Sequence, residues 1–284
     1  MTHPTSTFPW NQPPRPGRLG TARLIQAHGI RPDRDFGQNF LLDENLVDLA
    51  VRLAEVGPDD VVLEVGPGVG TLTTALSRTA RHVHAVEIDR RLEPALAESL
   101  AECANVTLHW GDVMRMDLAG LDPVPTRLVA NLPYSIATPL VMESLWTLPA
   151  CERWAVMVQR EVADRWGAPV GSSLYGAPSV LLALTVRQTA LRPVPPTVFM
   201  PRPRVDSAIV AMERVAPAPG DGLRSMVQAA FAQRRKTLVN ALSSAGRDRG
   251  AVAAALDRLG LLPSVRAQEL TPPQFVELER CLPA

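Results

Sequence analysis

Several features are scarce in this chain of 284 residues, and each scarcity excludes a class of protein. The three cysteines, Cys103, Cys151 and Cys281, are an odd number without the close spacing of a metal site. Neither a disulfide-stabilised secreted fold nor a metal centre is therefore expected. No apolar run approaches the length needed to cross a bilayer. These absences predict a cytoplasmic protein that has no metal and no membrane partner.

The formal net charge is +0, which by itself argues against a nucleic-acid-binding protein. The charges are unevenly distributed, however. Residues 1–184 contain 15 Lys and Arg against 21 Asp and Glu, a net −6, whereas residues 185–284 contain 14 against 8, a net +6. A basic carboxyl-terminal part beside an acidic part is the pattern expected of a modular enzyme that acts on RNA. Lys236 is the only lysine, so arginine supplies the other positive charges.

The chain divides into three parts by composition. Residues 1–20 contain five prolines and lack the apolar core of a signal peptide, which predicts a disordered leader. The Pro- and Gly-rich stretch 215–222 predicts a linker. We therefore expect a catalytic domain over residues 21–214 and a small helical domain over residues 215–284.

A strand, a glycine loop and a helix are predicted in succession near residue 65. Residues 61–65 form a short β-branched run, Gly66, Gly68 and Gly70 follow, and residues 71–76 are typical of a helix start. Such a loop allows a ligand to approach the backbone closely. A dehydrogenase fingerprint would place its third glycine at position 71, which is Thr71. The spacing, with Glu64 ahead of Gly66, Gly68 and Gly70, favours S-adenosylmethionine.

Two further apolar runs end in carboxylates. Residues 82–86 lead to Glu87, at the distance after a glycine loop where a ribose-binding acid is expected, and residues 106–110 lead to Gly111 and Asp112. Asp112 could accept a hydrogen bond from the adenine amine of the cofactor. Each carboxylate taken alone is more typical of a helix N-cap or of a solvated loop. Together they indicate a ligand site at the carboxyl edge of a parallel sheet.

The segment Asn131-Leu132-Pro133-Tyr134 follows a fourth apolar run, residues 127–130. An amine conjugated to a purine is a poor nucleophile, and two carbonyl acceptors, the Asn131 side chain and the adjacent backbone, could draw its nitrogen out of the ring plane. Pro133 stiffens the turn, and Tyr134 offers a stacking face for the base. The alternative is an ordinary turn after a strand.

These motifs together resemble those of the ribosomal RNA adenine dimethyltransferases, over about residues 36–275. The matching segments are residues 36–41, 64–70, 86–89, 111–112, 131–139, 159–162, 201–207 and 233–238. The resemblance implies a Rossmann-like α/β sheet that binds S-adenosylmethionine, followed by a small all-helical carboxyl-terminal domain. Ser135 and Ala137 depart from the family pattern, in which Asn and Ser are usual.

The resemblance also implies roles for individual residues. Asn39 and Leu41 would hold the methionine or the cofactor end, Gly66 would lie against the cofactor, and Phe199 would face Tyr134 across a flipped adenine. The expected RNA contacts are Arg202, Arg204, Arg234, Arg235 and Lys236.

The resemblance is greatest to the branch that dimethylates N6 of two adjacent adenosines in small-subunit (16S) ribosomal RNA. A monomer that acts on a pre-30S particle is therefore expected. Two alternatives remain: methylation of large-subunit (23S) RNA of the macrolide-resistance type, and a non-catalytic RNA-binding assembly factor.

The remaining periodicity predicts the rest of the fold. Residues 154–159, 179–187 and 205–213 are predicted strands, the last two adding an antiparallel element, and residues 161–166 a short helix. Helices are predicted around residues 226–231, 238–242 and 252–259, and a last helix is capped by Thr271.

Overall fold

The computed structural model describes residues 20–33 and 36–282. Apart from Gly20, the predicted leader lies outside the described residues. Among the described residues, no helix combines the length and the apolar character needed to cross a membrane.

The central element is a seven-stranded mixed sheet. Together with a separate two-stranded pair, the described residues form the strands β1 (Phe40–Leu41), β2 (Val61–Val65), β3 (His82–Glu87), β4 (Val106–Trp110), β5 (Arg127–Asn131), β6 (Arg153–Gln159), β7 (Val186–Val194), β8 (Phe199–Met200) and β9 (Ser207–Arg214). The strand order is β4-β3-β2-β5-β6-β9-β7. The first five strands of that order are parallel, and β9 is antiparallel to both of its neighbours. Strands β1 and β8 form a separate antiparallel pair.

Helices cover the sheet and form the carboxyl-terminal region. They are α1 (Thr21–Ala27), α2 (Glu44–Leu53), α3 (Thr71–Ser77), α4 (Glu93–Ser99), α5 (Ala137–Thr147), α6 (Arg160–Trp166), α7 (Ala177–Thr185), α8 (Asp221–Ala232), α9 (Leu238–Ser244), α10 (Arg249–Arg258) and α11 (Pro272–Cys281). The predicted α/β class and the helical carboxyl-terminal region are confirmed.

The inner strands are apolar on both faces because helices pack on both sides of the sheet. Leu63 and Leu128 belong to one hydrophobic cluster, and Val62 and Val129 belong to another on the opposite face. Since the side chains of a strand alternate, Glu64 shares the face of Val62. This alternation places a carboxyl group in an otherwise apolar layer.

The prediction of a strand over residues 179–187 is wrong for most of its length. Residues up to Thr185 lie in α7, and β7 begins at Val186. Leu182 packs in the cluster beneath the sheet, whereas Val180 and Leu181 pack in the cluster of the carboxyl-terminal helices. A helix buried on two sides is apolar all round and loses the 3.6-residue period that identifies it.

The carboxyl-terminal helices share a hydrophobic cluster with α7. Val227, Leu242, Leu256 and Phe275 supply one residue from each of α8 to α11. Thr271 caps α11 in a capping box with Gln274, as the sequence predicts. The division at residues 214 and 215 stays a prediction, because Val180 and Leu181 of α7 also belong to this cluster.

Tyr175 connects the loop before α7 to the carboxyl-terminal helices. Its side chain is 2% exposed, and its hydroxyl donates a hydrogen bond of 2.9 Å to the Leu270 carbonyl oxygen. We expect Tyr175→Phe to lower the free energy of unfolding by about 1–3 kcal/mol, because the buried carbonyl loses its partner. Urea denaturation measures the change. Ser225→Ala, which removes an exposed hydroxyl, is the control, and equal losses in both variants would contradict the role of Tyr175.

Candidate cofactor and base-binding site

One cavity opens at the carboxyl ends of the parallel strands, where β2, β3, β4 and β5 end. It brings together nine of the residues that the sequence predicts for cofactor and base: Asn39, Leu41, Gly66, Glu87, Asp112, Asn131, Leu132, Pro133 and Tyr134. Parallel topology explains the convergence, since these strands end at the same edge of the sheet. That the nine act in binding or catalysis remains a prediction.

The glycine loop between β2 and α3 needs its glycines for two reasons. Gly66, Gly68 and Gly70 have φ values of +71°, +62° and +86°, in the left-handed region that side chains disfavour. A Cβ at Gly68 would also lie 3.0 Å from Cδ1 of Phe40. The loop therefore keeps its backbone close to the cavity, with Pro133 packed 3.6 Å from the position of a Cβ on Gly66.

The Glu87 carboxylate is buried and almost fully engaged by the backbone. Its Oε1 accepts hydrogen bonds from the N–H groups of Ile88 and Asp89, both 2.9 Å, and its Oε2 accepts one from the Gly68 N–H at 3.1 Å. Burial raises the pKa of this carboxyl, and the backbone donors oppose that rise. A carboxylate has about four lone-pair sites, so roughly one remains on Oε2 for a ligand.

Asp112 has a different environment. Its side chain is 38% exposed and caps a short 3₁₀ turn, with Oδ1 accepting from the Met114 N–H at 3.0 Å. The exposed Arg115 guanidinium lies 3.5 Å from Oδ2. The N-cap that was the alternative for Asp112 is present, and the side chain also lines the cavity.

The Asn131 amide is held in one orientation. Its Nδ2 donates a hydrogen bond of 2.9 Å to the Asn39 carbonyl oxygen, and Asn39 Nδ2 donates one of 3.1 Å to the Gly37 carbonyl oxygen. Because the amide nitrogen is engaged, Asn131 Oδ1 is available as an acceptor. Asn39 thus contributes its backbone oxygen to Asn131 and its side chain to the neighbouring loop.

Tyr134 is partly exposed at the cavity and anchored by its hydroxyl. The hydroxyl shares a hydrogen bond of 2.7 Å with Ser207 Oγ, at the first residue of β9. Burial raises the pKa of Tyr134, and the hydrogen bond with Ser207 opposes that rise. The ring is therefore fixed by a contact that the sequence analysis did not identify.

Phe199 does not line the cavity. Its side chain is 4% exposed and packs with Val47 and Met157 in the cluster below the cavity. The pairing of β8 with β1 places Phe199 opposite Leu41. The stacking of Phe199 and Tyr134 on either side of a flipped adenine, which the resemblance implies, stays a prediction.

The predicted RNA contacts occupy two exposed segments. Arg202 and Arg204 lie in the loop between β8 and β9, and Arg234, Arg235 and Lys236 lie in the turn between α8 and α9. Arg234 Nη2 donates a hydrogen bond of 3.0 Å to the Ser173 carbonyl oxygen, so this side chain also holds the turn in place. RNA binding by the five residues remains a prediction.

Two groups that the sequence analysis did not assign contribute to the cavity. Thr21 of α1 lines it and donates a hydrogen bond of 2.8 Å to the Leu41 carbonyl oxygen. Glu64 lines it from β2 and is 1% exposed. The sequence pattern that could have indicated Glu64 is a charged residue inside the apolar run 61–65. No such pattern indicates Thr21.

Burial raises the pKa of the Glu64 carboxyl from 4.5 to about 8. The negative charge of Glu87 adds to this rise, and the Thr73 hydroxyl opposes it.

Among the described residues, no group of three or more His, Cys, Asp or Glu side chains could hold a metal ion.

Comparisons with known proteins give a consistent family. The model of the family described as "Ribosomal RNA adenine dimethylase" matches residues 30–282. A protein of Thermobifida fusca named "Ribosomal RNA small subunit methyltransferase A" is 45% identical over 264 residues, which cover 90% of this chain and 92% of that protein. A protein of the same name from Rubrobacter xylanophilus is 46% identical over 252 residues, 88% of this chain and 95% of that one.

Two solved structures are similar along most of the chain. A dimethyladenosine transferase from Plasmodium falciparum has a TM-score of 0.71 at 24% identity, with 84% of this chain and 95% of that chain covered. The 23S rRNA methyltransferase ErmE has a TM-score of 0.66 at 30% identity, with 86% and 99% covered. The similarity to the Plasmodium falciparum structure supports the fold described above for this chain.

The buried Glu64 makes the stability of the protein dependent on pH. Its carboxyl holds a proton in the folded state up to about pH 8, whereas in the unfolded state it loses the proton near its ordinary value of 4.5. The contribution to stability is therefore complete below the unfolded value and is lost as the pH rises towards 8. We expect Glu64→Gln to flatten the decline of the unfolding free energy between about pH 5 and pH 8.

Urea denaturation across this pH range, without cofactor, measures the effect. Glu161→Gln, which changes an exposed carboxyl of α6, should keep the wild-type slope. Equal slopes for wild type and Glu64→Gln would show that Glu64 does not carry the pH dependence.

Proposed function

The chain belongs to the ribosomal RNA adenine dimethylase family, and we propose that it transfers methyl groups from S-adenosylmethionine to N6 of two adjacent adenosines in small-subunit (16S) ribosomal RNA. The observation that carries this proposal is the cavity: nine predicted residues line it, and the Asn131 amide is oriented with its oxygen available. The family match over residues 30–282 includes the carboxyl-terminal helices, so the basic residues 185–282 are part of the region that resembles the family.

The residues of the cavity fit S-adenosylmethionine. Three carboxyl groups, Glu64, Glu87 and Asp112, suit a ligand that carries positive charge, and the backbone of the glycine loop forms part of the cavity wall. Glu87 would accept a ribose hydroxyl through Oε2, because the bonds from Ile88 and Asp89 occupy Oε1. Asp112 would accept from the adenine amine, and Asn39, Leu41 and Gly66 would surround the methionine end. When bound, the cofactor supplies an activated methyl group on a sulfonium.

The remaining chemistry is positioning of the acceptor amine. Asn131 Oδ1 and the Leu132 carbonyl would accept the two N–H groups, which directs the nitrogen lone pair toward the methyl group. Pro133 has no N–H that could compete for these acceptors. Tyr134 would stack on the flipped adenine with its hydroxyl tied to Ser207. No side chain acts as a strong base, so orientation and charge placement provide the catalysis.

Phe199 has a supporting role in this proposal. It packs opposite Leu41 of β1, and Leu41 lines the cavity. Phe199 would also face Tyr134 across the flipped adenine, as the resemblance implies. Ser135 and Ala137 follow the residues that hold the amine, so their departure from the family pattern is compatible with activity.

The strongest alternative is methylation of large-subunit (23S) ribosomal RNA, because the ErmE structure is similar along 86% of the chain. The relatives named for the small subunit share 45% and 46% identity, against 30% for ErmE. A non-catalytic assembly factor has no need for buried carboxyl groups in a cofactor cavity. We therefore favour a cytoplasmic monomer that acts on small-subunit RNA in a pre-30S particle.

Methylation of purified ribosomal particles tests this function. The protein is incubated with S-adenosylmethionine and with small- or large-subunit particles from a strain that lacks the gene, and the nucleosides are analysed by mass spectrometry. N6,N6-dimethyladenosine in small-subunit RNA alone supports the proposal. The same product in large-subunit RNA, or no product in either, would refute it.

The role of Asn131 predicts a kinetic defect without a binding defect. Asn131→Ala should lower the single-turnover rate by roughly 10²-fold, the scale for loss of one preorganised polar group, while RNA affinity stays close to that of wild type. Asn45→Ala, which removes an exposed amide of α2, is the control and should retain the full rate. A single-turnover rate in Asn131→Ala within a few-fold of wild type would remove Asn131 from the mechanism.

The basic turn between α8 and α9 predicts a change in the salt dependence of RNA binding. Each phosphate contact contributes a slope of about 0.9 in log affinity against log salt on duplex nucleic acid. Replacing Arg235 and Lys236 with Ala should flatten the slope by up to about two units and leave cofactor affinity unchanged. Arg234 is kept, because it also holds the turn against Ser173.

The matched control is Arg78→Ala with Arg81→Ala. It removes the same charge at the opposite edge of the sheet, just before β3 begins. If both double variants gave the wild-type slope with a small-subunit precursor RNA, the contacts would have to lie elsewhere, with Arg202 and Arg204 the next candidates.

A further inference from the structure

Among the described residues, those that line the cavity include three carboxyl groups and no basic side chain. Glu64 lies on β2, Glu87 ends β3, and Asp112 follows β4, while no Lys, Arg or His of the described residues lines the cavity. The nearby guanidinium of Arg91 is bonded to Asp89 and Asp33. The acidic groups of the cavity therefore have no cationic side chain among them.

Glu64 and Glu87 are both buried on one face of the sheet, but their carboxyl groups have very different numbers of hydrogen-bond donors. Glu87 accepts three backbone N–H bonds. Glu64 is 1% exposed, and its Oε2 has no hydrogen-bond partner. An isolated buried carboxylate is very costly, so such a group takes up a proton instead. Glu64 is therefore the carboxyl group whose negative charge would have no hydrogen-bond donor at Oε2 to stabilise it.

In the described part of the chain, no group around Glu64 would favour its charged form strongly enough to offset burial. From β3 it faces the negative charge of Glu87, and from α3 it faces the neutral Thr73 hydroxyl. Its cross-strand partner on β3 is Ala85. Asp112 is the third carboxyl of the cavity. Since the described residues bring no positive charge to Glu64, a charged ligand that enters the cavity would supply it.

We propose that Glu64 is a neutral carboxylic acid in the empty cavity and releases its proton to solvent when the positively charged cofactor binds. This inference rests on the proposed function, because it takes S-adenosylmethionine as the ligand. The cofactor and Glu64 then form a pair of opposite charges inside the protein, with one proton lost to water. Binding of the cofactor is thereby coupled to pH.

The same coupling distinguishes the cofactor from its product. Methyl transfer moves the methyl group to the amine nitrogen, leaves the sulfur electron pair on a neutral sulfide, and frees one proton from the amine. The product, S-adenosylhomocysteine, lacks the sulfonium charge, so Glu64 takes its proton back from solvent. Glu64 therefore selects for the charged cofactor and favours release of the spent one.

Isothermal titration calorimetry in buffers of different ionisation enthalpy tests the proposal, because the buffer dependence of the heat counts the protons released. At about pH 7, the wild-type protein should release about one proton per S-adenosylmethionine and fewer per S-adenosylhomocysteine, since the pKa of Glu64 is about 8. As the pH is raised towards 8, the affinity for S-adenosylmethionine should increase by up to about tenfold per pH unit.

Two carboxyl-to-amide variants assign the proton. Glu64→Gln, which resembles the neutral acid in shape, should bind without proton release. Asp112→Asn changes another carboxyl of the same cavity and should keep the release. Persistence of the release in Glu64→Gln, or equal release with the two ligands in the wild type, would overturn the inference. The wild-type comparison decides the matter even if a variant fails to fold.

The two proposals fail in different ways. S-adenosylmethionine that binds and supports methylation without any buffer dependence would refute the role of Glu64 and leave the proposed function intact. Absence of cofactor binding in every buffer would refute the proposed function, and this inference with it.

Discussion

The site depends on the hydrogen bond from Asn131 Nδ2 to the Asn39 carbonyl oxygen. It joins the end of β5 to the segment before β1, although the two residues are 92 positions apart in the chain. Because the bond uses the amide nitrogen, it also determines which atom of Asn131 can accept a substrate N–H. Gly66 and Gly37 allow this arrangement, since their backbones pass Pro133 with φ values of +71° and +64°, which side chains disfavour.

Electrostatics then separates the tasks of the acidic residues. Backbone N–H groups engage Glu87 and leave it one free acceptor site, whereas Asp112 is partly exposed and Glu64 has an oxygen without a partner. The same residue type therefore provides a hydrogen-bond acceptor at one strand end and a proton-holding acid at another. The environment that each strand creates decides between the two roles. RNA contacts are proposed for a separate basic region, so cofactor binding and RNA binding use different charges.

Much of this arrangement could be predicted from sequence because parallel strands bring their carboxyl ends together. The glycine loop and the ends of β3, β4 and β5 were identified from local patterns. Helix α7 has the apolar pattern of a buried strand, because the two hydrophobic clusters that enclose it remove the helical period from its sequence. The contacts of Tyr134 with Ser207 and of Thr21 with Leu41 were missed, since no local pattern reports a bond between distant segments. Phe199 has the expected aromatic type, but the pairing of β8 with β1 sets its direction.

A crystal structure with a non-reactive analogue of S-adenosylmethionine tests the central claim most directly. The account predicts the analogue in this cavity, with its ribose at Glu87, its adenine at Asp112, and the position of the transferable methyl group facing Asn131 Oδ1. The bond from Asn131 to Asn39 should be retained. An analogue bound elsewhere, or an Asn131 amide turned with its nitrogen toward the methyl position, would contradict the account.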